Sequence, residues 1–174
     1  KNPHHAQELG ISFIFQELSV INTLTVEDNM TLGYENRKAG IVDRKKNLKK
    51  VQDILSSLNI NIRPGELVRN LSVSQKQMML IAKALSQNSK LIVMDEPTAS
   101  LTHSETKELF RMMMDLKAKG ITFLYVSHRF EDIFTIGDRI TVFRDGENAG
   151  DIDVKEADED RIIKLMVGRD IQET

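Results

Sequence analysis

Apolar residues form short continuous runs and longer helical repeats along this chain of 174 residues. Mostly apolar runs occupy residues 11–15, 91–94 and 121–126, and each ends at polar or turn-forming residues. Continuous runs of this kind are typical of strands buried on both faces of a parallel sheet. Residues 139–143 predict a further strand, which the turn pair Asp145-Gly146 ends.

Helical repeats lie between these runs. Asp43 is expected to cap a helix that continues to Leu58, because apolar residues recur there every three or four positions. Thr102 and Glu105 have the spacing of a capping box, which predicts a helix that stops at Gly120. Further helices are predicted over residues 26–32, 74–85, 130–136 and 158–167. The strand–helix–strand order implies right-handed parallel crossovers, so the fold class is α/β.

Composition narrows the class of protein. The chain has 24 basic and 26 acidic residues, a net charge of −2, which gives no indication of nucleic-acid binding. It has no cysteine, so disulfides and thiolate metal sites do not apply, and this fits the cytosol. No apolar run approaches the roughly 20 residues that cross a bilayer.

Two adjacent acids, Asp95 and Glu96, follow the run at 91–94. Open α/β sheets bind ligands at the carboxyl ends of their strands. One acid there can hold Mg²⁺ through water while the other takes a proton from an attacking water. Neighbouring strand residues point to opposite faces, so both acids can face one spot only if the strand ends between them, as Pro97 suggests. Taken alone, the run could equally be a strand that ends in solvated acids.

Four segments in order carry a family resemblance. Gln16 closes the first run, residues 71–75 read Leu-Ser-Val-Ser-Gln, the twin acids follow, and residues 126–129 read Val-Ser-His-Arg. Together they resemble the Q-loop, signature motif, Walker B strand and switch histidine of ATP-binding cassette (ABC) ATPases. Residues 97–102, 142–146 and 165–169 resemble the sugar-importer branch, in which one chain carries two cassettes, and this chain looks like the first.

The resemblance implies a partial P-loop NTPase, a RecA-like three-layer core with a helical insertion. The core would comprise residues 1–18 and 86–174, and the helical subdomain would comprise residues 19–85. This division agrees with the mostly helical pattern between Ser19 and Ala84.

The resemblance also implies roles for the polar residues at the strand ends. Asp95 would hold Mg²⁺ through water, and Glu96 would act as general base on the attacking water. His128 would bond the γ-phosphate and orient that water, and Gln16 would contact both the metal and the water. An ordinary loop glutamine and a histidine satisfied at a strand end are the alternatives for Gln16 and His128.

The signature segment departs from the family pattern. Ser72, Ser74 and Gln75 would face the γ-phosphate held by an opposite cassette, but Ser74 stands where the family has glycine. Glycine permits a close backbone approach to phosphate, so we expect weakened ATPase activity here and faster turnover in Ser74→Gly. Ser74 and Gln77 also fit a capping box, which makes a purely structural N-cap the rival interpretation.

The phosphate-binding loop G-x-x-x-x-G-K-[ST] is absent, since none of the nine glycines precedes a lysine. The chain is therefore expected to be a fragment cut downstream of that loop, or a natural gene remnant. By itself it should bind ATP weakly and hydrolyse none.

The function expected for the parent protein is ATP hydrolysis, with ATP and Mg²⁺, in a carbohydrate importer. It would work at the cytoplasmic face of the membrane with a second cassette, and its loop at 17–24 would contact the permease subunits. We also expect self-association of this chain through an unpaired sheet edge. The alternatives are a non-transport ABC ATPase acting on ribosomes or DNA, and a non-catalytic docking fragment.

The remaining histidines and the methionine runs have simpler interpretations. His4 and His5 are expected in a loop rather than in a metal site, and His103 on the surface. Residues 112–114, together with Met78 and Met79, are all methionine and are expected to fill gaps in the core.

Overall fold

The computed structural model describes residues 3–38 and 40–168. Its helices are α1 (Pro3–Glu8), α2 (Val26–Thr31), α3 (Arg44–Ser57), α4 (Val73–Ser86), α5 (His103–Ala118), α6 (Phe130–Ile136) and α7 (Glu159–Val167). Its strands are β1 (Ile11–Ile14), β2 (Arg37–Lys38), β3 (Ile41–Val42), β4 (Leu91–Asp95), β5 (Thr122–Val126), β6 (Arg139–Arg144) and β7 (Glu147–Asp153). The chain divides into two compact units, one up to Val126 and one from Ser127 onward.

The first unit is built on a three-stranded parallel sheet in the order β1-β4-β5. Ile11, Leu91 and Thr122 stand side by side in the register of the three strands. All three strands run in the same direction, so their carboxyl ends meet at one edge. The predicted α/β class and the parallel crossover between β4 and β5 are confirmed.

One face of this sheet is mostly buried, and the other is half-exposed. Ile92 and Met94 are 0% exposed on one face, whereas Phe13, Leu124 and Val126 on the other are 55%, 49% and 46% exposed. The prediction of burial on both faces was therefore wrong for one of them. Helices α4 and α5 contact β1 and β5, and a continuous apolar run does not itself say how many faces the rest of the chain covers.

The long helices begin at the predicted caps, with one change. The Asp43 side chain accepts a hydrogen bond from the Lys46 amide at the start of α3. Thr102 and Glu105 form the predicted capping box of α5. Helix α4 agrees with its predicted range to within one residue at each end, but its cap is Ser72.

The core of the first unit contains most of the predicted apolar residues. Leu109, Met113 and Leu116 of α5 are buried, as are Met78, Met79 and Met112. Met114 is 47% exposed, so its assignment to the core was wrong. It lies next to Met113 on a helix, where adjacent residues point in different directions.

One helix and one pair of strands in the first unit were not predicted. Pro3–Glu8 is a helix rather than a loop, and His5 Nδ1 lies 3.6 Å from Glu8 Oε2 one turn later. Proline at the first helical position favours this start because its φ is already helical. Strands β2 and β3 form a short antiparallel hairpin within the stretch whose pattern predicts mostly helix.

The second unit is an antiparallel hairpin, β6–β7, with helices α6 and α7. Its core consists of four buried side chains, Ile140, Val142, Ile152 and Ile162. The predicted turn is confirmed, because Asp145 and Gly146 both have positive φ, 53° and 83°, as a two-residue hairpin turn requires. Among the helices of the described ranges, none combines the length and apolar character needed to span a bilayer.

Candidate functional site

The carboxyl edge of the sheet brings two of the predicted site residues together. Gln16 lies two residues after the end of β1, and Glu96 lies one residue after the end of β4. The Gln16 Nε2 atom donates to Glu96 Oε2 at 3.5 Å, the outer limit of a hydrogen bond. Residues 80 positions apart thus meet because β1 and β4 are parallel neighbours.

Glu96 leaves the strand with a left-handed backbone. Its φ is +45°, whereas β4 is extended up to Asp95. The Glu96 amide donates to the Val126 carbonyl at 2.9 Å, which fixes this turn to the end of β5. The expectation that the strand ends between the two acids is therefore confirmed, and the alternation of strand faces does not force the two carboxylates apart.

Asp95 is an exposed residue at this edge, and Glu96 is half-buried. A carboxylate oxygen and an amide oxygen are ligands that suit Mg²⁺, which usually takes one or two carboxylates and keeps several waters. The residues described contain no group of three His, Cys, Asp or Glu side chains that could hold a metal ion. Asp95 and Gln16 supply a carboxylate and an amide near this edge, and both are donor types that Mg²⁺ accepts.

The turn after the acids, residues 97–102, is anchored from two sides. Thr98 is 1% exposed, and its Oγ1 lies 3.2 Å from the Tyr125 hydroxyl of β5. On the other side, the buried Gln77 of α4 donates from Nε2 to the Pro97 carbonyl oxygen. Sequence reasoning missed these hydrogen bonds, because they join residues on three elements and no local motif signals them.

The predicted signature residues lie at the N-terminus of α4. The Ser72 hydroxyl accepts a hydrogen bond from the Gln75 amide at 3.2 Å, and Gln75 Oε1 accepts one from the Ser72 amide at 3.0 Å. This is a complete capping box, formed by Ser72 and Gln75 and not by Ser74 and Gln77 as the rival interpretation proposed. Both pairs have the required spacing, and the helix uses the earlier one.

Ser74 joins two helices. It is 5% exposed, and its hydroxyl donates to Glu105 Oε1 at 2.8 Å and lies 2.9 Å from the Ser72 hydroxyl. Glu105 also caps α5 through Thr102. These hydrogen bonds, of which the bond from the Thr102 amide is the strongest influence, hold the pKa of the Glu105 carboxyl below its ordinary value.

His128 belongs to the second unit and is exposed, two residues beyond the last residue of β5. The neighbouring backbone is ordered by local contacts: the Arg129 amide donates to the Ser127 hydroxyl at 3.0 Å, and Arg129 Nε lies 3.8 Å from the buried Asp132 carboxylate. The predicted residues of the first unit thus form two groups. Gln16 lies with Asp95 and Glu96 at the sheet edge, and Ser72, Ser74 and Gln75 lie at the start of α4. His128 belongs to the second unit.

Known sequences resemble this chain over almost its whole length. It is 44% identical over 170 residues to the ribose import ATP-binding protein of Clostridium perfringens strain 13, covering 97% of this chain and 34% of that protein. It is 43% identical over 171 residues to the galactose/methyl galactoside import ATP-binding protein of Treponema denticola, covering 98% of this chain and 34% of that protein. The chain therefore spans about a third of the length of these relatives.

Solved structures and the family profile agree with these relatives. An ATP-binding cassette of an ABC transporter, MJ1267 in its ADP conformation, matches with a TM-score of 0.79 at 26% identity, covering 97% of this chain and 72% of that one. A nucleotide-free ATP-binding cassette matches with a TM-score of 0.74, also at 26% identity, and covers 97% of this chain and 69% of that one. The profile of the ABC transporter family matches residues 1–99. The chain therefore belongs to the ABC transporter family and has the α/β fold of its ATP-binding cassettes.

Proposed function

We propose that this chain is part of the ATP-hydrolysing subunit of an ABC-type carbohydrate importer. The observation that carries the proposal is the meeting of Gln16 and Glu96 at the carboxyl edge of β4, beside the exposed Asp95. The relatives are named for the import of ribose and of galactose or methyl galactoside, which supplies the substrate class. The sugar itself would be selected by other subunits.

The residues at this edge have distinct roles in the proposed reaction. When bound, Mg²⁺ neutralises charge on the transferred phosphoryl group. Asp95 would hold the metal through water, and Gln16 would contact both the metal and the attacking water. Glu96 accepts the proton of that water, and the Gln16 amide at 3.5 Å helps to orient its carboxylate. The role proposed for His128, to bond the γ-phosphate and orient the water, is carried over from the family resemblance and rests on no contact of this residue.

The proposed partner of the signature segment is a second cassette. Ser72 and Gln75 would face the nucleotide held by that cassette, because the N-terminus of a helix favours an anionic group. Ser74, which was also expected there, is 5% exposed and its hydroxyl is bonded to Glu105. The loop at residues 17–24 would contact the permease subunits and place the protein at the cytoplasmic face of the membrane. The capping box leaves the Ser72 side chain exposed on this surface.

Glu96→Gln in the full-length subunit tests the proposal. The variant should retain Mg-ATP binding, measured by calorimetric titration, and lose hydrolysis by about 10²-fold or more, because it removes the base and keeps the shape of the side chain. Phosphate release is the measurement. Asp115→Asn, which neutralises an exposed acid on α5, is the matched control and should hydrolyse ATP normally.

A wild-type rate of phosphate release from Glu96→Gln would refute the role of Glu96. Purification of the full-length subunit with ribosomes or DNA, rather than with membrane permease subunits, would favour a non-transport ABC ATPase. If the subunit binds its permease but neither binds nor hydrolyses ATP, it is a docking protein and the proposal is wrong.

The 174-residue chain by itself should bind Mg-ATP weakly, because it contains no G-x-x-x-x-G-K-[ST] loop. Calorimetric titration that shows micromolar affinity would contradict this. The half-exposed apolar face with Phe13, Leu124 and Val126 supports the further expectation that this chain self-associates. A clean monomer in light scattering would count against it.

A further inference from the structure

Two side chains of α4 reach the turn that follows the twin acids. Ser74 and Gln77 are three residues apart, so they lie on the same face of the helix. Each is 5% exposed. Ser74 donates to Glu105 at the start of α5, and Gln77 donates to the Pro97 carbonyl oxygen. One face of α4 therefore contacts the first residue of the turn at 97–102 and, through Ser74, the helix that follows the turn.

The Glu105 carboxylate links the Ser74 hydroxyl to Thr102 at the end of the turn. Its Oε1 accepts the Ser74 hydrogen bond at 2.8 Å. Its Oε2 accepts hydrogen bonds from the Thr102 amide at 3.0 Å and from the Thr102 hydroxyl at 2.8 Å. A single carboxylate thus joins Ser74 to Thr102, the last residue of the turn, while Gln77 holds Pro97, the first.

We propose that Ser74 and Gln77 are positioning residues that couple the N-terminus of α4 to the turn at residues 97–102. A displacement of α4 then moves both ends of this turn. Because Pro97 directly follows Glu96, the coupling reaches the backbone of the proposed base. The catalytic consequence rests on the proposed function, whereas the mechanical coupling does not.

The coupling depends on the hydroxyl of Ser74, which glycine at this position would lack. A glycine has no hydroxyl to donate to Glu105, so the link to Thr102 would be broken. Ser74 is thus interpreted as an added connection rather than as an impaired site for phosphate. The two interpretations predict different results for Ser74→Gly. An impaired phosphate site predicts faster turnover, whereas the coupling predicts no increase in turnover.

Amide hydrogen exchange on the full 174-residue chain, followed by NMR, tests the coupling without any activity. Ser74→Ala should accelerate exchange at Leu101 and Thr102 by about fivefold or more, as expected for the loss of a hydrogen bond to a charged group. Gln77→Met should do the same at Thr98 and Ala99. Ser86→Ala is the matched control, because among the described residues the Ser86 hydroxyl bonds to the Lys83 carbonyl of its own helix and to no other element.

A role in global stability alone would accelerate exchange equally throughout the first unit, and that result would overturn the proposal. Unchanged exchange at residues 98–102 in both variants would overturn it as well. In the full-length subunit, Ser74→Ala should lower kcat several-fold at constant KM for ATP, and faster turnover in Ser74→Gly would refute the catalytic consequence. A wild-type subunit without ATPase activity would refute the proposed function, and the exchange data would still decide the coupling.

Discussion

Replacement of Glu96 by glycine should stabilise the fold and abolish the proposed hydrolysis. Glu96 has a φ of +45°, in the left-handed region, which costs a residue with a Cβ about 1–2 kcal/mol. Glycine avoids that cost but loses about 0.5–1 kcal/mol through its greater freedom in the unfolded chain. The difference is a net stabilisation of about 0.5–1 kcal/mol.

Glu96→Gly removes only one weak hydrogen bond of the side chain. The Gln16–Glu96 hydrogen bond is exposed and 3.5 Å long, so its removal subtracts no more than a few tenths of a kcal/mol. The hydrogen bond from the Glu96 amide to the Val126 carbonyl, at 2.9 Å, is kept, because it belongs to the backbone. A stabilisation of about 0.2–0.8 kcal/mol should therefore survive, which is a rise in Tm of about 0.5–3 °C for a chain of this size.

Glu96→Gln is the matched control, since it removes the charge and keeps the Cβ in the left-handed backbone. Thermal unfolding should show Glu96→Gly melting above Glu96→Gln, whereas phosphate release from the full-length subunit should be abolished in both. If Glu96→Gly melts at or below Glu96→Gln, the left-handed backbone carries no strain. If Glu96→Gly hydrolyses ATP normally, the carboxylate is not the base.

Further variants test the core of the first unit, the end of α7 and one surface carboxylate. Ile92→Ala should lower the free energy of unfolding by about 2–5 kcal/mol in urea, and Ile92→Val by about 0.5–1.5, because Ile92 is 0% exposed in β4. Equal losses in both variants would contradict burial as the cause. Gly168→Ala should destabilise α7 by about 1–2 kcal/mol, since Gly168 ends that helix with a φ of 74°; unchanged thermal unfolding would contradict it. The Asp151 pKa is lowered from 3.8, chiefly by the Thr141 hydroxyl. The contribution of Asp151 to the free energy of unfolding is therefore complete above the unfolded pKa and is lost as the pH falls through the lower folded pKa. In Asp151→Asn, the free energy of unfolding should fall less between neutral and acid pH than it does in the wild type.

The elements whose signals are local could be predicted from the sequence. Asp43 and Thr102 each cap a helix that begins one residue later, and Gly146 completes a hairpin turn that glycine favours. Each of these signals lies within a few residues of its effect. The parallel sheet was also predictable, because short continuous apolar runs that alternate with helices are typical of the strands of a parallel sheet.

The contacts that depend on tertiary neighbours could not be predicted. Ser72 and Ser74 both precede a glutamine by three residues, so the spacing alone does not say which pair forms the capping box. The choice depends on Glu105, which accepts the Ser74 hydroxyl, and on Pro97, whose carbonyl takes the Gln77 amide. Both partners lie 20 or more residues away in sequence.

The backbone at Glu96 is an argument for function that is independent of any motif. Within the described ranges, four residues other than glycine have positive φ: Asn59, Asn88, Glu96 and Asp145. Asparagine and aspartate tolerate this conformation because their short polar side chains can bond to the local backbone. Glutamate lacks that relief, so folding by itself favours glycine or asparagine at position 96. An acid at such a position, at the carboxyl edge of a parallel sheet, therefore supports the proposed role of the Glu96 carboxylate.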